Sequence, residues 1–450
     1  MQSRVDSAAV NEAWLAELSE LLRIPSVSAD PQHAGDVRQA GEWVRDFVRR
    51  AGGEAELQET DSQPLVIGDI PASSGDGDAP TILVYGHFDV QPPAPLELWD
   101  SEPFEPTIRD EWIYARGVAD DKGQLWTLLK GAALLAADGA LPVHVRIACD
   151  GEEEIGGQSI VEFLANDERG ADACIIFDSA MERRGVPALC TGTRGVMSFE
   201  LQVRSGARDL HSGVFGNAAL NATHALMQAL GGIMPRDGRV PAALREGIEP
   251  PSDEERASWN ELTSGADALR GAGAVPYDAA AADEFHLRTT AEPSVDVNGI
   301  LGGKPGLPNT TIPVAAQANF SVRLAPGQDV STVTAAVERL IREAAPPGAE
   351  VQLELRGAAP PGLVSPDEPA VQIALDAFEH VMGTRPLLSR TGGTLPIVPA
   401  LVDNGIPTIL TGIALPESNI HSPNERVLVE YLPLGVDIAR ELYTRLAALR

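Results

Sequence analysis

Apolar residues recur at helical spacing over residues 8–22 and 36–50, the recurrence that lays one apolar stripe along a helix. Three short apolar runs with β-branched content follow: TILVY at 81–85, VHVRIAC at 143–149 and ACIIF at 173–177. Helical segments near 122–138 and 157–166 separate them. Strand alternating with helix predicts an α/β fold with a mostly parallel central sheet and helices on both faces. The stretch PASSGDGDAP at 71–80 reads as a surface turn and not as a linker between domains.

The pattern changes after Gly195. Residues 197–204 (MSFELQVR) alternate apolar and polar, as a half-exposed strand does. Helical spacing follows at 217–231, alternation returns at 312–324, a helix fits 329–344, and VQLELR at 351–356 alternates again. These elements predict an α+β block of antiparallel strands with one face open and helices on the other. Residues 240–300 are rich in Pro, Gly, Ala and acids and show weak periodicity, so their structure stays open. Helix at 369–382, strand at 406–411 and helix at 431–449 then resume the first pattern. The expected organisation is a catalytic domain in two parts, 1–194 and 366–450, interrupted by an α+β domain at 195–365.

Composition narrows the partners. The 450 residues include 65 acidic and 34 basic side chains, a formal charge of −31. Such a surface repels phosphate backbones and anionic lipid, which sets nucleic acid and membrane surfaces aside. Most of these acids read as a solvated face; a minor share could hold cations. Three cysteines, Cys149, Cys174 and Cys190, do not make a disulfide framework. The N-terminal stretch reads as an amphipathic helix without a leader's apolar core, and no apolar run approaches about 18 residues. A cytoplasmic location is the expectation.

Candidate chemistry clusters at the ends of the apolar strands, where open α/β sheets place their ligand sites. His87 and Asp89 follow TILVY; His87 could ligate a metal while Asp89 orients it. Asp120 and Asp121 precede a helix, where they could equally be N-terminal caps. In Glu153-Glu154, extended neighbours point opposite ways, so one could reach a metal while the other faces a water. Asp178 ends ACIIF, either capping or functional, and His421 lies in a late loop. Two imidazoles and at least three carboxylates suit zinc or a similar divalent ion, and a shared carboxylate can hold two ions that activate one water between them. Dinucleotide, P-loop, nucleophile-elbow, HExxH and CxxC patterns are all missing from the sequence.

The motifs GHFDV, RGVADDKG, EEIGG, the strand ending in Asp178, DLHSGVFG, FSVRL and the late His421 occur in order over nearly the whole chain. In these the sequence resembles the dizinc exopeptidase family of carnosinases, bacterial dipeptidases, carboxypeptidase G and acetylornithine deacetylase, and LHSGVFG most resembles its carnosinase-like dipeptidase branch. The resemblance implies two divalent metal ions per subunit, zinc with manganese or cobalt as alternatives. His87 and Asp178 would complete one, Glu154 and His421 the other, and Asp120 would bridge them through a cis Asp120–Asp121 peptide. Glu153 would be the general base and proton donor, with Asp89 orienting His87. The block at 195–365 would be a lid and dimerisation domain, His211 would polarise the scissile carbonyl in a partner's site of a homodimer, and Arg323, Thr310 and Thr394 would contact substrate. Thr394 stands where relatives often carry Ser. The implied activity is cleavage of an amide in a dipeptide or small peptide. An N-acyl-amino-acid deacylase or desuccinylase would use the same centre, and an inactive binding protein on this fold is the reading of a different class.

Overall fold

A computed structural model of the chain describes residues 12–75, 77–304 and 306–449. The start of the expected first helix, residues 8–11, lies outside the described residues. The chain divides into two compact units: residues up to Thr191 with Val364–Ser389 and the chain from Pro396 onward, and Gly192–Leu363 with Arg390–Leu395.

The first unit is built on a sheet in the order Glu54–Gln58, Leu65–Ile70, His144–Asp150, Thr81–His87, Ala173–Phe177, Thr408–Thr411, Ala188–Thr193. Its four central strands, from His144–Asp150 to Thr408–Thr411, run parallel. The outer pairings are antiparallel. Every residue of Ala173–Phe177 is buried, which requires cover on both faces and explains the unbroken apolar runs in the sequence. Helices Ala34–Arg50, Lys122–Ala137, Pro369–Met382 and Tyr431–Leu446 supply apolar residues to that core. The three cysteines are buried. The hairpin Glu54–Ile70 and the helix Ile397–Asp403 were not legible in the periodicity.

The second unit holds a four-stranded antiparallel sheet in the order Ser294–Gly302, Ala315–Leu324, Gly195–Arg204, Glu350–Ala359. Along Gly195–Arg204, Met197, Phe199, Leu201 and Val203 are buried, while Ser198, Gln202 and Arg204 are exposed, the alternation expected of a sheet with one open face. Phe199 and Phe320 stack at 5.0 Å beneath helices Ala222–Gly231 and Val330–Ala344. The first of these helices starts later than the spacing at 217–231 suggests. Asn221 caps it by accepting from the Thr223 and His224 amides; the Ala-Ala-Leu before the cap extends the apolar spacing without extending the helix. The alternating run 312–324 also divides. Thr311–Ile312 pairs with Leu210–His211, and the sheet strand begins only after Pro313, which lacks the amide a ladder needs.

Residues 240–300 fold as short helices Asp253–Trp259 and Gly265–Gly271 and a π-turn at Leu287–Ala291. Ion pairs, more than apolar periodicity, hold them. Arg390 binds Glu255 through two bonds of 2.7 and 2.9 Å with both residues buried. Arg239 and Arg245 converge on Glu292.

Candidate metal centre

The strands Thr81–His87, His144–Asp150 and Ala173–Phe177 run parallel, so His87, the Glu153-Glu154 turn and Asp178 emerge at one end of the sheet. The loops carrying Asp120 and His421 complete two groups of potential ligands. His87, Asp120 and Asp178 form one, and Asp120, Glu154 and His421 the other; within each, one atom per residue lies within 4.8 Å of the rest. Asp120 belongs to both. Its Oδ1 is 3.0 Å from His87 Nε2 and its Oδ2 is 2.9 Å from His421 Nε2. The Asp120–Asp121 peptide is cis, as the resemblance implied.

Each ligand is held by neighbours. His87 Nδ1 lies 3.1 Å from the Asp89 carbonyl and 3.3 Å from Asp89 Oδ1. The same Asp89 carboxylate accepts from the Glu153 and Glu154 amides at 3.2 Å, so one acid aligns both an imidazole and the acidic turn. That turn is a 3₁₀ segment, Glu153–Ile155, and not the extended pair read from the sequence. Only Glu154 joins a ligand group; Gln91 donates to its carboxylate from Nε2 at 2.8 Å. The capping reading of Asp121 is also corrected. Asp121 precedes the helix but makes no side-chain cap; its Oδ2 accepts from the His87 amide at 3.1 Å.

Several residues that hold the centre were not singled out in the sequence. Glu425 is fully buried and accepts from the Gly117, Ala119 and Asp120 amides at 3.0, 2.8 and 3.1 Å, and from Arg116 at 2.5 Å. One carboxylate thus organises the loop that presents Asp120, four residues after His421 in its own loop. Gln124 ties the Ala119 carbonyl to the Ile413 amide. Lys122, also buried, donates to the Ile24 carbonyl at 2.6 Å. A carboxylate before the short strand Arg426–Leu428 was the available signal for Glu425, and nothing local distinguishes it from a solvated acid.

The electrostatics follow from crowding. Burial, reinforced by the charges of Asp178, Glu154 and Asp120 against the opposing His87, pushes Glu153 up to about 9. Burial and Asp120 push Asp178 up to about 6, although the hydrogen bond from His87 acts the other way. For Asp120 the hydrogen bonds from His421 and His87 outweigh burial and hold it well below the usual carboxylate range. Hydrogen bonds to Asp120 and Glu154 raise His421 to about 10. A buried set of carboxylates that press one another towards protonation, with nitrogen and oxygen donors in two groups sharing one member, fits two divalent cations, whose charge would return the acids to their ionised form.

The other unit carries the remaining sequence candidates. His211 is exposed and accepts from the Gly213 amide at Nδ1, 3.0 Å, so a neutral ring carries its proton on Nε2 and can donate from there. Thr310 is beside it, its carbonyl accepting from the Ser212 amide at 2.8 Å. Arg323 Nη1 donates to Thr394 Oγ1 at 3.0 Å.

These features define a metal-dependent hydrolase centre at the carboxyl ends of a parallel sheet. The profile of peptidase family M20/M25/M40 matches residues 83–445, and the chain belongs to that family. It is 30% identical over 423 residues to cysteinylglycine-S-conjugate dipeptidase of Corynebacterium striatum, covering 92% of this chain and 91% of that protein. It is 26% identical over 426 residues to human Beta-Ala-His dipeptidase, covering 91% of this chain and 81% of that one. Among solved structures it resembles the M20 family metallo-carboxypeptidase Sso-CP2 of Sulfolobus solfataricus, with a TM-score of 0.80, 25% identity, and 98% and 100% of the two chains covered.

Proposed function

We propose that this protein is a metallo-dipeptidase that hydrolyses the amide bond of dipeptides or small peptides, with two zinc ions as the resident metals. The observation that carries this reading is the sharing of Asp120, one oxygen towards each ligand group. His87 and Asp178 would hold one ion and Glu154 and His421 the other, with Asp120 serving both. Two such cations, when bound, supply a water of lowered pKa and polarise the scissile carbonyl. Glu153 belongs to neither ligand group and is the base that takes a proton from the attacking water and delivers it to the leaving nitrogen. Asp89 keeps His87 and the Glu153-Glu154 turn aligned. Arg323 receives the substrate's carboxylate, where a guanidinium fork suits it, with Thr394 and Thr310 as further contacts. His211 donates to the developing oxyanion. The named relatives, both dipeptidases, support the peptide substrate.

The same reading makes residues 195–365 a lid and the unit that joins a homodimer, with His211 acting in the partner's site. Exposed apolar side chains in this unit support self-association: Val214, Phe215, Met227, Ile300, Leu301 and Leu307. Among the described residues no helix is long and apolar enough to cross a membrane.

The test is hydrolysis of a mixed panel of free dipeptides and N-acyl amino acids, with and without a chelator, then with zinc or manganese restored. Chelator-sensitive cleavage of dipeptides is expected. Cleavage of acylated substrates alone would keep the metal chemistry and move the function to deacylation.

A further inference from the structure

Two arginines of the second unit share the loop Gly392-Gly393-Thr394. Arg323 reaches it from the open face of the sheet and donates to Thr394 Oγ1. Arg194 reaches it from the residue before the neighbouring strand; its amide donates to the Thr391 and Gly393 carbonyls, and its carbonyl accepts from Thr394 Oγ1 at 2.6 Å. Register sets the two side by side, because Arg323 pairs with Val196 and Leu324 with Gly195. The Arg194 guanidinium lies over Gly392, where an added Cβ would sit 3.4 Å from Nη2 and 2.8 Å from the carbonyl of Thr289. Glycine there lets the loop pass between the guanidinium and the π-turn Leu287–Ala291.

Neither guanidinium has a counter-charge in contact. Among the described residues no carboxylate lies within 4.0 Å of either one. Arg194 Nε is buried without a partner, and its Nη1 makes only a long 3.4 Å bond to the Glu292 carbonyl. The acid nearest in register, Asp296, is diagonal to Arg323 and interacts with Ser294. Burial first, then the charge of Arg323, holds Arg194 down to about 10, with Asp296 opposing; the side chain stays cationic at neutral pH. In a chain with a formal charge of −31, two adjacent arginines left unneutralised make a local site of charge +2.

We infer that Arg194 and Arg323 together form a dicarboxylate pocket, in which Arg194 selects substrates whose C-terminal residue carries a second carboxylate, as aspartate or glutamate does. The α-carboxylate occupies Arg323 and the side-chain carboxylate pairs with the Arg194 guanidinium through Nη2, while its Nε stays buried under the Gly392 loop. The segment 287–291 backs the Gly392 loop on the side away from the Arg194 guanidinium. The choice of a peptide as substrate rests on the dipeptidase reading above; the binding of the acid does not.

The test compares isosteric pairs that differ only in charge, Ala-Glu with Ala-Gln as substrates and free glutamate with free glutamine as ligands, on the intact metal-loaded protein. Wild type is expected to favour Ala-Glu in kcat/KM and glutamate in calorimetric affinity by about tenfold or more, the order expected of one additional charge-assisted pair. Arg194→Gln is expected to abolish both preferences, read as the Glu-to-Gln ratio of KM and of Kd, and Arg194→Lys to restore part of them. Arg323→Gln should weaken all four ligands. Equal handling of Glu and Gln by wild type, or a preference that survives Arg194→Gln, would overturn the inference. Dipeptide cleavage without a charge preference would sink it and leave the dipeptidase reading intact. Arg194-dependent glutamate binding without cleavage of any dipeptide would do the reverse.

Discussion

In the first unit the ionisable side chains of the centre sit at the ends of parallel strands and on the loops beside them, held by one another and, except for the exposed His421, buried or half-buried. Glu425 has four donors and no exposure, and Asp89 serves an imidazole and two amides at once. In the second unit the polar side chains stand on the open face of an antiparallel sheet or in short loops beside it, and Arg194 and Arg323 lack any carboxylate partner within 4.0 Å among the described residues. A parallel sheet covered on both faces exposes only its strand ends, so chemistry gathers there. An antiparallel sheet with one open face offers a platform on which unneutralised charge can wait for a ligand. One unit gathers ligands for cations; the other leaves two arginines without a carboxylate in contact.

The largest effect expected from this division is catalytic and confined to the first unit. Glu153→Gln should lower kcat by about a hundredfold to ten-thousandfold, the usual share of a positioned general base, with both metals retained. Metal analysis beside steady-state kinetics checks it; loss of metal together with activity would make Glu153 a ligand and not a base. Next comes Glu425→Gln. Replacing one carboxylate oxygen by an amide donor opposes a donor to donors at a fully buried position. Metal affinity, measured by chelator competition, should fall by about tenfold to a hundredfold, as for other residues that orient ligands from behind. Unchanged affinity would mean that the Asp120 loop holds its shape without Glu425.

A change in the second unit should leave that affinity alone. Phe320→Ala removes one ring of a 5.0 Å stack at the centre of its core. A cost of about 3–5 kcal/mol is expected, read from denaturant unfolding. Equal loss of metal affinity in this variant would show that the two units are not energetically separable in the way their different cores suggest.

What was legible in the sequence follows the same division. The unbroken runs at 81–85, 143–149 and 173–177 declared strands buried on both faces, and alternation at 197–204 declared a sheet with one open face, because those periods report burial directly. The antiparallel hairpin Glu54–Ile70 was missed, since it has mixed polarity and no turn dipeptide to announce it. The insert at 240–300 was illegible for a further reason: Arg390–Glu255 and the arginines on Glu292 hold it, and ion pairs leave no period in a sequence. In the centre, the ligand candidates could be named because strand ends and histidines mark them. Glu425, Gln124 and Arg194 could not, because their meaning lies in partners 200 to 306 residues away.

The smallest expected effect tests whether the second unit's surface charges act locally. Asp329 caps helix Val330–Ala344, accepting from the Thr332 amide at 2.8 Å and from the hydroxyls of Ser331 and Thr332. Those bonds, the Ser331 hydroxyl foremost, lower its carboxyl to about 2 from the ordinary 3.8. The sign is that of a depressed acid. The unfolded chain binds this proton before the folded one does, so the cap's contribution is complete above about pH 4 and is lost as pH falls through about 2. Asp329→Ala should therefore lower the midpoint of unfolding at about pH 6, and the gap from wild type should narrow as pH falls below about 4. Metal affinity should be unchanged at every pH where both proteins are folded. A gap that stays constant from about pH 6 to about pH 3 would assign the loss to helix geometry and not to the ionised cap.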